Sequence, residues 1–455
     1  MSRPSLNLLA TSSNPDGLFP AKPRNRENNP HILNPFFKSV QWSADGTTLF
    51  TSSSSNRIST FVLPSTLLDP RPSPVDLAAQ STLTLPEPSN AIAPCPYFAL
   101  EQPSTQVLLT ASKDHPIHLH HVFPQPSPTP SPPIASFRLI KHETEAYMPI
   151  TSLIWPAPGT HFIAGTTNRI ALFDVSRPDA TLASTPFQTI ATIPSTRHIA
   201  KGNGIGMRGT VSALAANVRS PGDAGLVAAG TWTRSMGLYD LQRAGSCVAT
   251  WSVAGAAREG AVGGRGVMQV LWSPCGRYLV VNERMARGLL VYDLRGTNEL
   301  LACLTGRDGQ TNQRLSCDVF PGSEGSGGFE VWAGTKDGGV VVWEGVGGRE
   351  GCVEPSWERE VHASSVGGVA MHMSGSVLAT VSGSWRIDDG ESSDEESSDE
   401  SDEESSSSGA SEASHKNPLR ASVVVEETSL KVWSIGASTT PEPERPSQSE
   451  DSIES

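Results

Sequence analysis

The sequence predicts an all-β fold, a seven-bladed propeller, and three observations predict it. A pattern of three short apolar runs recurs seven times along the 455 residues. Within the runs apolar residues alternate with period two, the spacing of strands, and almost no segment holds a helical 3.6 period. The runs are rich in β-branched and aromatic residues, which suit a pleated surface. Four-stranded units repeating every ~40–50 residues are propeller blades, and stacking them around a ring buries both faces of each sheet.

Each copy opens with an apolar run, turns through a small Gly/Pro sequence, and runs back. It then makes a polar tight turn into a third run that ends in an aromatic or aliphatic pair with an acid. The clearest copies are Val267–Trp272, SPCG, Tyr278–Val281 and LLVYDL (Leu289–Leu294), and Thr151–Trp155, PAPG, His161–Ala164 and IALFDV (Ile170–Val175). The first copy is Ser39–Trp42, SADG, Leu49–Ser52 and Ile58–Leu63. The remaining third runs are IHLHHV, GLYDL, VVVWEG and LKVWSI, and most of the seven end about 50–65 residues apart, with one wider gap before the last. After LKVWSI the chain continues as GASTTPEPERP, which cannot supply a fourth strand. The last blade would keep an unpaired edge. A strand near Leu6–Thr11 is expected to close the ring. The expected organisation is an N-terminal extension over 1–30, the propeller over 31–436, a disordered acidic insert at 388–418 within the last blade, and a disordered acidic tail at 437–455. The Pro-rich stretch Pro124–Pro133 reads as a loop inside blade two, and Ser65–Asn90 as a long connection.

Composition narrows the function classes. Hydrophobic residues make up 37% of the chain, enough for a large core, and 41 Gly with 36 Pro imply abundant turns. No apolar run approaches the ~20 residues of a membrane span. The first residues lack a secretory signal's apolar stretch. Six cysteines without a CxxC pair fit reduced thiols rather than a disulfide frame or zinc site. The net charge of −13 is local: Asp388–Glu412 holds 12 acids and no Lys or Arg, and 1–387 is +2.

The turns and the endings Phe173–Asp174, Tyr239–Asp240 and Tyr292–Asp293 resemble WD40 repeats in degenerate form, without Gly-His dipeptides. Five longer stretches resemble the telomerase Cajal body protein family and its fungal splicing-linked relatives: Asn34–Ile58, SKDHPIHL (Ser112–Leu119), SFRLIKHETE (Ser136–Glu145), TWTRSMGLYDL (Thr231–Leu241) and TNQRLSCDVFP (Thr311–Pro321). Their shared order is more specific than any one of them, and the resemblance spans about residues 30–436. The Pro-rich loop and the Gly-rich connectors Gly322–Gly328 and Gly345–Gly351 depart from it. The resemblance implies binding of small nuclear RNAs of the Cajal-body class, telomerase RNA included, and direction of their localisation. It implies RNP proteins as partners, nuclear residence with the cytoplasm left open, and a monomer within a larger complex.

In such a fold the turns between second and third strands share one face with the links between blades. Those segments carry Arg57, Lys113 with His115, Arg169, Trp232 with Arg234, Arg284 with Arg287, Lys336, and Trp385 with Arg386. The link before blade six adds Arg307, Asn312, Gln313 and Arg314. A ring of cations can track a phosphate backbone. Trp232, Trp385 and guanidinium planes can stack on unpaired bases, and Asn312 and Gln313 can read base edges. The plainer alternative is that hairpin turns favour polar residues simply to stay solvated. The acidic insert leaves from the same face and can compete with RNA. Its serines Ser392, Ser393, Ser397 and Ser401 precede acids and suit acidophilic kinases. Here too a plain solubilising linker is the alternative.

Other signals point nowhere specific. GIGMRG (Gly204–Gly209) lacks the strand and helix a dinucleotide site needs. His118 and His120 share a strand face, but no third metal ligand is evident. Lys22–Arg26 is a weak nuclear-import patch. Trp42, Trp155, Trp272, Trp332, Trp343 and Trp433 fall at strand positions and read as packing. No catalytic constellation, metal or cofactor is expected, so the favoured function is a non-enzymatic nuclear scaffold for small nuclear or telomerase-class RNA. The alternative is a protein-only adaptor that recruits peptide partners.

Overall fold

Period-two alternation becomes seven antiparallel sheets of four strands, two of them extended by a short parallel fifth strand, and the chain is an all-β, seven-bladed propeller. The structure, a computed structural model, describes residues 4–15, 35–124, 131–141, 143–176, 185–193, 206–217, 225–296, 299–322, 328–384, 386–388, 422–424 and 427–436. The insert serines, Trp385, Lys22–Arg26 and the acidic tail lie outside the described residues.

Each blade has strands a to d, with strand a innermost against strand a of its neighbours. Blade one is Phe37–Trp42, Thr48–Ser53, Arg57–Val62 and Ser81–Thr84. Blade two is Ser89–Pro94, Val107–Ser112, Ile117–His121 and Ala135–Phe137. Blade three is Ser152–Ile154, His161–Thr166, Arg169–Asp174 and Gln188–Ala191. Blade four is Val211–Ala216, Leu226–Thr231, Ser235–Asp240 and Ser246–Ser252. Blade five is Val267–Trp272, Tyr278–Glu283, Leu289–Asp293 and Glu299–Leu304. Blade six is Cys317–Phe320, Phe329–Gly334, Gly339–Val346 and Trp357–Glu360. Blade seven takes Val366–Met371, Val377–Ser382 and Ser429–Gly436 from the end of the chain and Ser5–Ser12 from its start.

Main-chain hydrogen bonds define two faces. On the upper face the b–c turns meet the d–a links, as in Leu85 N–H to Asn56 O, Arg284 N–H to Gly266 O and Lys336 N–H to Asp308 O. On the lower face the c–d links meet the a–b turns, as in Leu63 N–H to Thr47 O and Val175 N–H to Thr160 O.

Blade contact explains a recurrent Ala-Gly-Thr at the end of strand b. A Cβ on Gly165, Gly230 or Gly334 would run into Val211, Val267 or Val366, the first strand-a residue of the next blade. Trp42 and Trp272 donate their indole N–H groups to Ala370 O and Ala215 O of the preceding blade. Trp332 and Trp343 are buried, so these tryptophans pack blades as expected.

The stretch Ser65–Asn90 is more than a connection. It contains strand d of blade one, and Val75–Asp76 pairs in parallel with Ala10–Thr11 on blade seven. Gly351–Val353, from the c–d connection of blade six, caps blade five in the same way. Their loop-like surroundings, Pro-rich before Val75 and Gly-rich before Cys352, hid both, because an outermost strand needs main-chain pairing more than a long apolar run.

Blade seven carries a polar chain that joins link to strands. Buried His362 shares hydrogen bonds with Thr380 Oγ1 at 2.7 Å and Ser429 Oγ at 3.0 Å, and Trp433 Nε1 donates to the same Thr380 oxygen at 2.9 Å. Glu427 binds His362, Ser429 and Lys431, and these contacts hold its carboxyl below its ordinary value, the His362 bond contributing most. A carboxyl depressed in the fold adds stability above its unfolded pKa and loses it as pH falls through the folded value.

Two outcomes are expected. Ala10→Asp, at a fully buried position of the closing strand, buries an unpaired charge and should cost more than about 2 kcal/mol in urea unfolding. The wild-type urea midpoint should drop below the ordinary glutamate pKa of 4.5 by more than that of Glu427→Gln; parallel pH curves would assign the acid loss elsewhere.

Candidate nucleic-acid interface

The upper face is built from turns of shared geometry. One residue of the b–c turn has a left-handed backbone in six blades: Asn56, Asp114, Asn168, Arg234, Met285 and Gly338. Asn and Asp tolerate that conformation through local hydrogen bonds. The cations take different places around it. Arg57 and Arg169 follow the left-handed residue, Lys113 and Arg284 precede it, and Arg234 occupies it. The side chains therefore leave the face in different directions.

Several expected contact residues are engaged within the protein. Arg234 forms a two-pronged pair with Glu283, Nε at 2.7 Å and Nη2 at 2.8 Å. Glu283 is 2% exposed, and its hydrogen bond raises the Arg234 pKa above the ordinary value. Lys336 pairs with Asp308 at 3.1 Å and Asp337 at 3.5 Å. Lys113 lies 4.0 Å from Asp114, and Arg169 reaches the Met148 sulfur. Arg57 engages neighbours of its own, and His115 sits half-buried in the blade-two turn. Arg386 starts a short ribbon with Ser422–Val424 in the b–c connection of blade seven; its side chain lies outside the described residues.

A different group converges where the central channel opens. The blade-five turn brings Arg284 over the Trp232 ring, 5.6 Å from its centroid, and Arg284 Nη2 donates to Asn312 Oδ1 at 2.7 Å. Gln313 Nε2 donates to Gly383 O at 2.6 Å, so this link reaches from blade five across to blade seven. Arg314 follows, and neither it nor Lys38 has an ion pair among the described residues. Burial lowers the pKa of both, with Arg284 adding to the effect on Arg314 and Arg314 to that on Lys38. Lys38 is a residue the sequence reading missed. It is the extra residue of a β-bulge between Phe37 and Ser39 in strand a of blade one, and bulges re-aim side chains.

The same sector holds a buried cation with no carboxylate partner among the described residues. Arg307, 2% exposed, donates to Gly334 O, Asn282 Oδ1 and Leu315 O. Burial lowers its pKa to about 10, so it stays charged at neutral pH. Beside it a cleft of about 430 Å³ opens at the blade-five turn, between the links before and after that blade, where Gly260, Ala261 and Arg287 face Thr305–Asp308 and Gln310. Arg287 is exposed there and donates to Gln310 Oε1. Positive charge without a paired carboxylate among the described residues thus gathers from blade five across to blade one, while Arg57, Lys113 and Arg169 stand in the turns of blades one to three.

Metal and cofactor signals gain nothing in three dimensions. His118 and His120 stack edge-on at 5.7 Å, and burial pushes His120 down to about 4. Among the described residues no three His, Cys, Asp or Glu side chains gather as a metal site. Among them no helix is long and apolar enough to cross a membrane.

The fold and its degenerate repeats define the class, a WD40-type propeller. No family model matches the sequence. The chain is similar to telomerase Cajal body protein 1 of Bos taurus and of Homo sapiens, 28% identical to each over 353 residues and 76% of this chain. It spans only 58% and 57% of the length of those two relatives. It is also similar to guanine nucleotide-binding protein negative regulator 1 of Schizosaccharomyces pombe, 25% identical over 315 residues, 68% of this chain and 70% of that protein. These matches bear out the resemblance to the telomerase Cajal body protein family.

The Arg234–Glu283 pair makes a checkable claim. A double-mutant cycle of Arg234→Ala and Glu283→Gln should return a coupling of about 1.5–3 kcal/mol in urea unfolding. A coupling near zero would show Arg234 free to leave the blade.

Proposed function

We propose that this chain is a non-enzymatic scaffold that binds a small nuclear or telomerase-class RNA on its upper face and supports RNP assembly or localisation in the nucleus, with RNP proteins as its other partners. The observation that carries this reading is the cluster of Lys38, Arg284 and Arg314 beside Trp232, cations with no ion-paired carboxylate among the described residues. Like charges held together lower one another's pKa, and a phosphate placed among them relieves that repulsion. Phosphate contacts of this kind release counterions and dominate affinity. The Trp232–Arg284 stack offers a plane for an unpaired base, Asn312 sets its amide against Arg284, and Gln313 carries a second amide on toward blade seven. Arg57, Lys113, His115, Arg169, Arg234, Arg287 and Lys336 would be the outer contacts of the same face; Trp385 and the Arg386 side chain lie outside the described residues. The names of the mammalian relatives, which couple telomerase with the Cajal body, favour this reading.

A protein-only adaptor is the second reading. It draws on the fission yeast relative, whose name makes it a regulator of a guanine nucleotide-binding protein.

Crosslinking the full chain in cells and sequencing the bound RNA separates the two. RNA binding predicts enriched small structured RNAs, lost from Lys38→Ala/Arg284→Ala/Arg314→Ala. In filter binding with an enriched RNA, that triple variant should flatten the log K against log salt slope by about 2, from ~0.7 per lost phosphate contact on a single strand. Unchanged RNA recovery from the variant, or partners retained after nuclease treatment with no RNA enriched, would overturn the reading.

A further inference from the structure

The lower face has a chemistry of its own. Large apolar side chains stand exposed along four consecutive blades: Met373 in blade seven, Leu68 in blade one, Tyr97 and Ile134 in blade two, and Phe187 in blade three. All five fall in a–b or c–d connections, so they share this face. Met373 is 66% exposed, Leu68 61% and Tyr97 51%, far beyond what packing requires.

The connections that carry them are tied to one another. The Gly46 turn of blade one lies against the His372 ring, next to Met373. Asp45 in that turn accepts the Leu100 N–H at 2.7 Å and so holds the blade-two loop that displays Tyr97. Thr105 Oγ1 and Gln106 Nε2 bind the same loop internally, and Phe98 anchors it edge-on against Phe50. The Tyr97 ring then rests over Gly159 of blade three, where a Cβ would come within 2.9 Å of it. Phe187 packs on His161 at 4.9 Å. An aromatic held rigidly at the surface loses little entropy when a partner covers it, the property of an interface anchor. Met is enriched at such surfaces because its side chain adapts.

Among the described residues acids predominate around this arc: Asp45, Asp69 and Glu101 lie in its connections and Asp174 ends strand c of blade three, against Arg71. Burial opposes ionisation of Asp45, but its bonds to Ser43, Leu100 and Thr47 outweigh that and hold its carboxyl below the usual range. Apolar anchors with an acidic border complement a chain that alternates apolar and basic residues.

We infer that the lower face, from blade seven through blade three, docks a basic protein segment that inserts apolar side chains around Tyr97. The proposal stands apart from RNA binding, because none of its residues belongs to the upper face.

The test selects a random 12-residue peptide library, displayed on phage, on the immobilised full chain, then titrates the enriched peptides by fluorescence anisotropy. Enriched peptides should combine Lys or Arg with aliphatic or aromatic residues. Tyr97→Ala should weaken them about tenfold or more. Asp69→Lys/Glu101→Lys should weaken them and reduce their salt dependence, while Lys38→Ala/Arg314→Ala leaves them unchanged. Matching thermal melts establish that the variants fold. The inference is overturned by an absence of enriched peptides or by peptides without a basic bias. Affinity indifferent to both Tyr97→Ala and Asp69→Lys/Glu101→Lys also sinks it. So does self-association that Met373→Glu abolishes, which would make a second copy the occupant.

Discussion

Ring closure is the constraint on which the other features rest. Seven sheets packed side by side leave the last one without its outer strand, and an unpaired edge invites association with other chains. The chain resolves this with its own beginning. Ser5–Ser12 pairs along Ser429–Gly436, with one bulge between Leu8 and Ala10. Val75–Asp76 then covers the other side of that strand, so the closing segment is held from both flanks. The polar chain from His362 through Thr380 to Trp433 fixes the neighbouring strands. Everything on the two faces follows from this closure, since the angle between blades sets how far apart their turns stand.

Closure alone does not decide where charge is available. Each upper turn offers a cation, but its neighbours determine whether the charge is neutralised. Arg234 meets Glu283 because the last residue of strand b in blade five faces the turn of blade four. Lys336 meets Asp308 because the link before blade six passes beside the blade-six turn. Lys38, Arg284 and Arg314 instead meet amides, an indole and one another. Arg307, buried among carbonyl oxygens, adds field without being reachable. An isolated charge of this kind persists because each of the three guanidinium nitrogens finds an acceptor.

The fold was legible because period-two alternation and recurring turns are local properties. Strand existence follows from them, and so does the sharing of a face by all b–c turns. Trp232, Arg284, Asn312 and Arg314 were legible for the same reason, since position in the repeat places them on the face where b–c turns and links meet. Lys38 was not, because a bulge shifts a strand by one residue without a distinctive sequence. The neutralisation of Arg234 by Glu283 was also hidden, since it joins residues 49 apart in the chain. Ser81–Thr84 and Val75–Asp76 looked like loop because edge strands carry polar residues. His362 was overlooked as a blade-locking group because Val361 precedes it where a glycine is the familiar signal.

The two faces can hold opposite chemistry because the disc is thick relative to electrostatic screening. A six-residue strand spans roughly 20 Å at ~3.3 Å per residue. The Debye length at physiological ionic strength is ~8 Å. The basic cluster above and the acid-bordered arc below therefore act on their surroundings independently through solvent. A net charge of +2 over residues 1–387 conceals this, because summation cancels groups that no ligand encounters together. A polyanion meeting the channel mouth experiences Lys38, Arg284 and Arg314, and a basic chain meeting the Tyr97 loop experiences Asp69 and Glu101. A rigid ring with separated faces can bring two such partners to a fixed distance while neither has to change shape to admit the other.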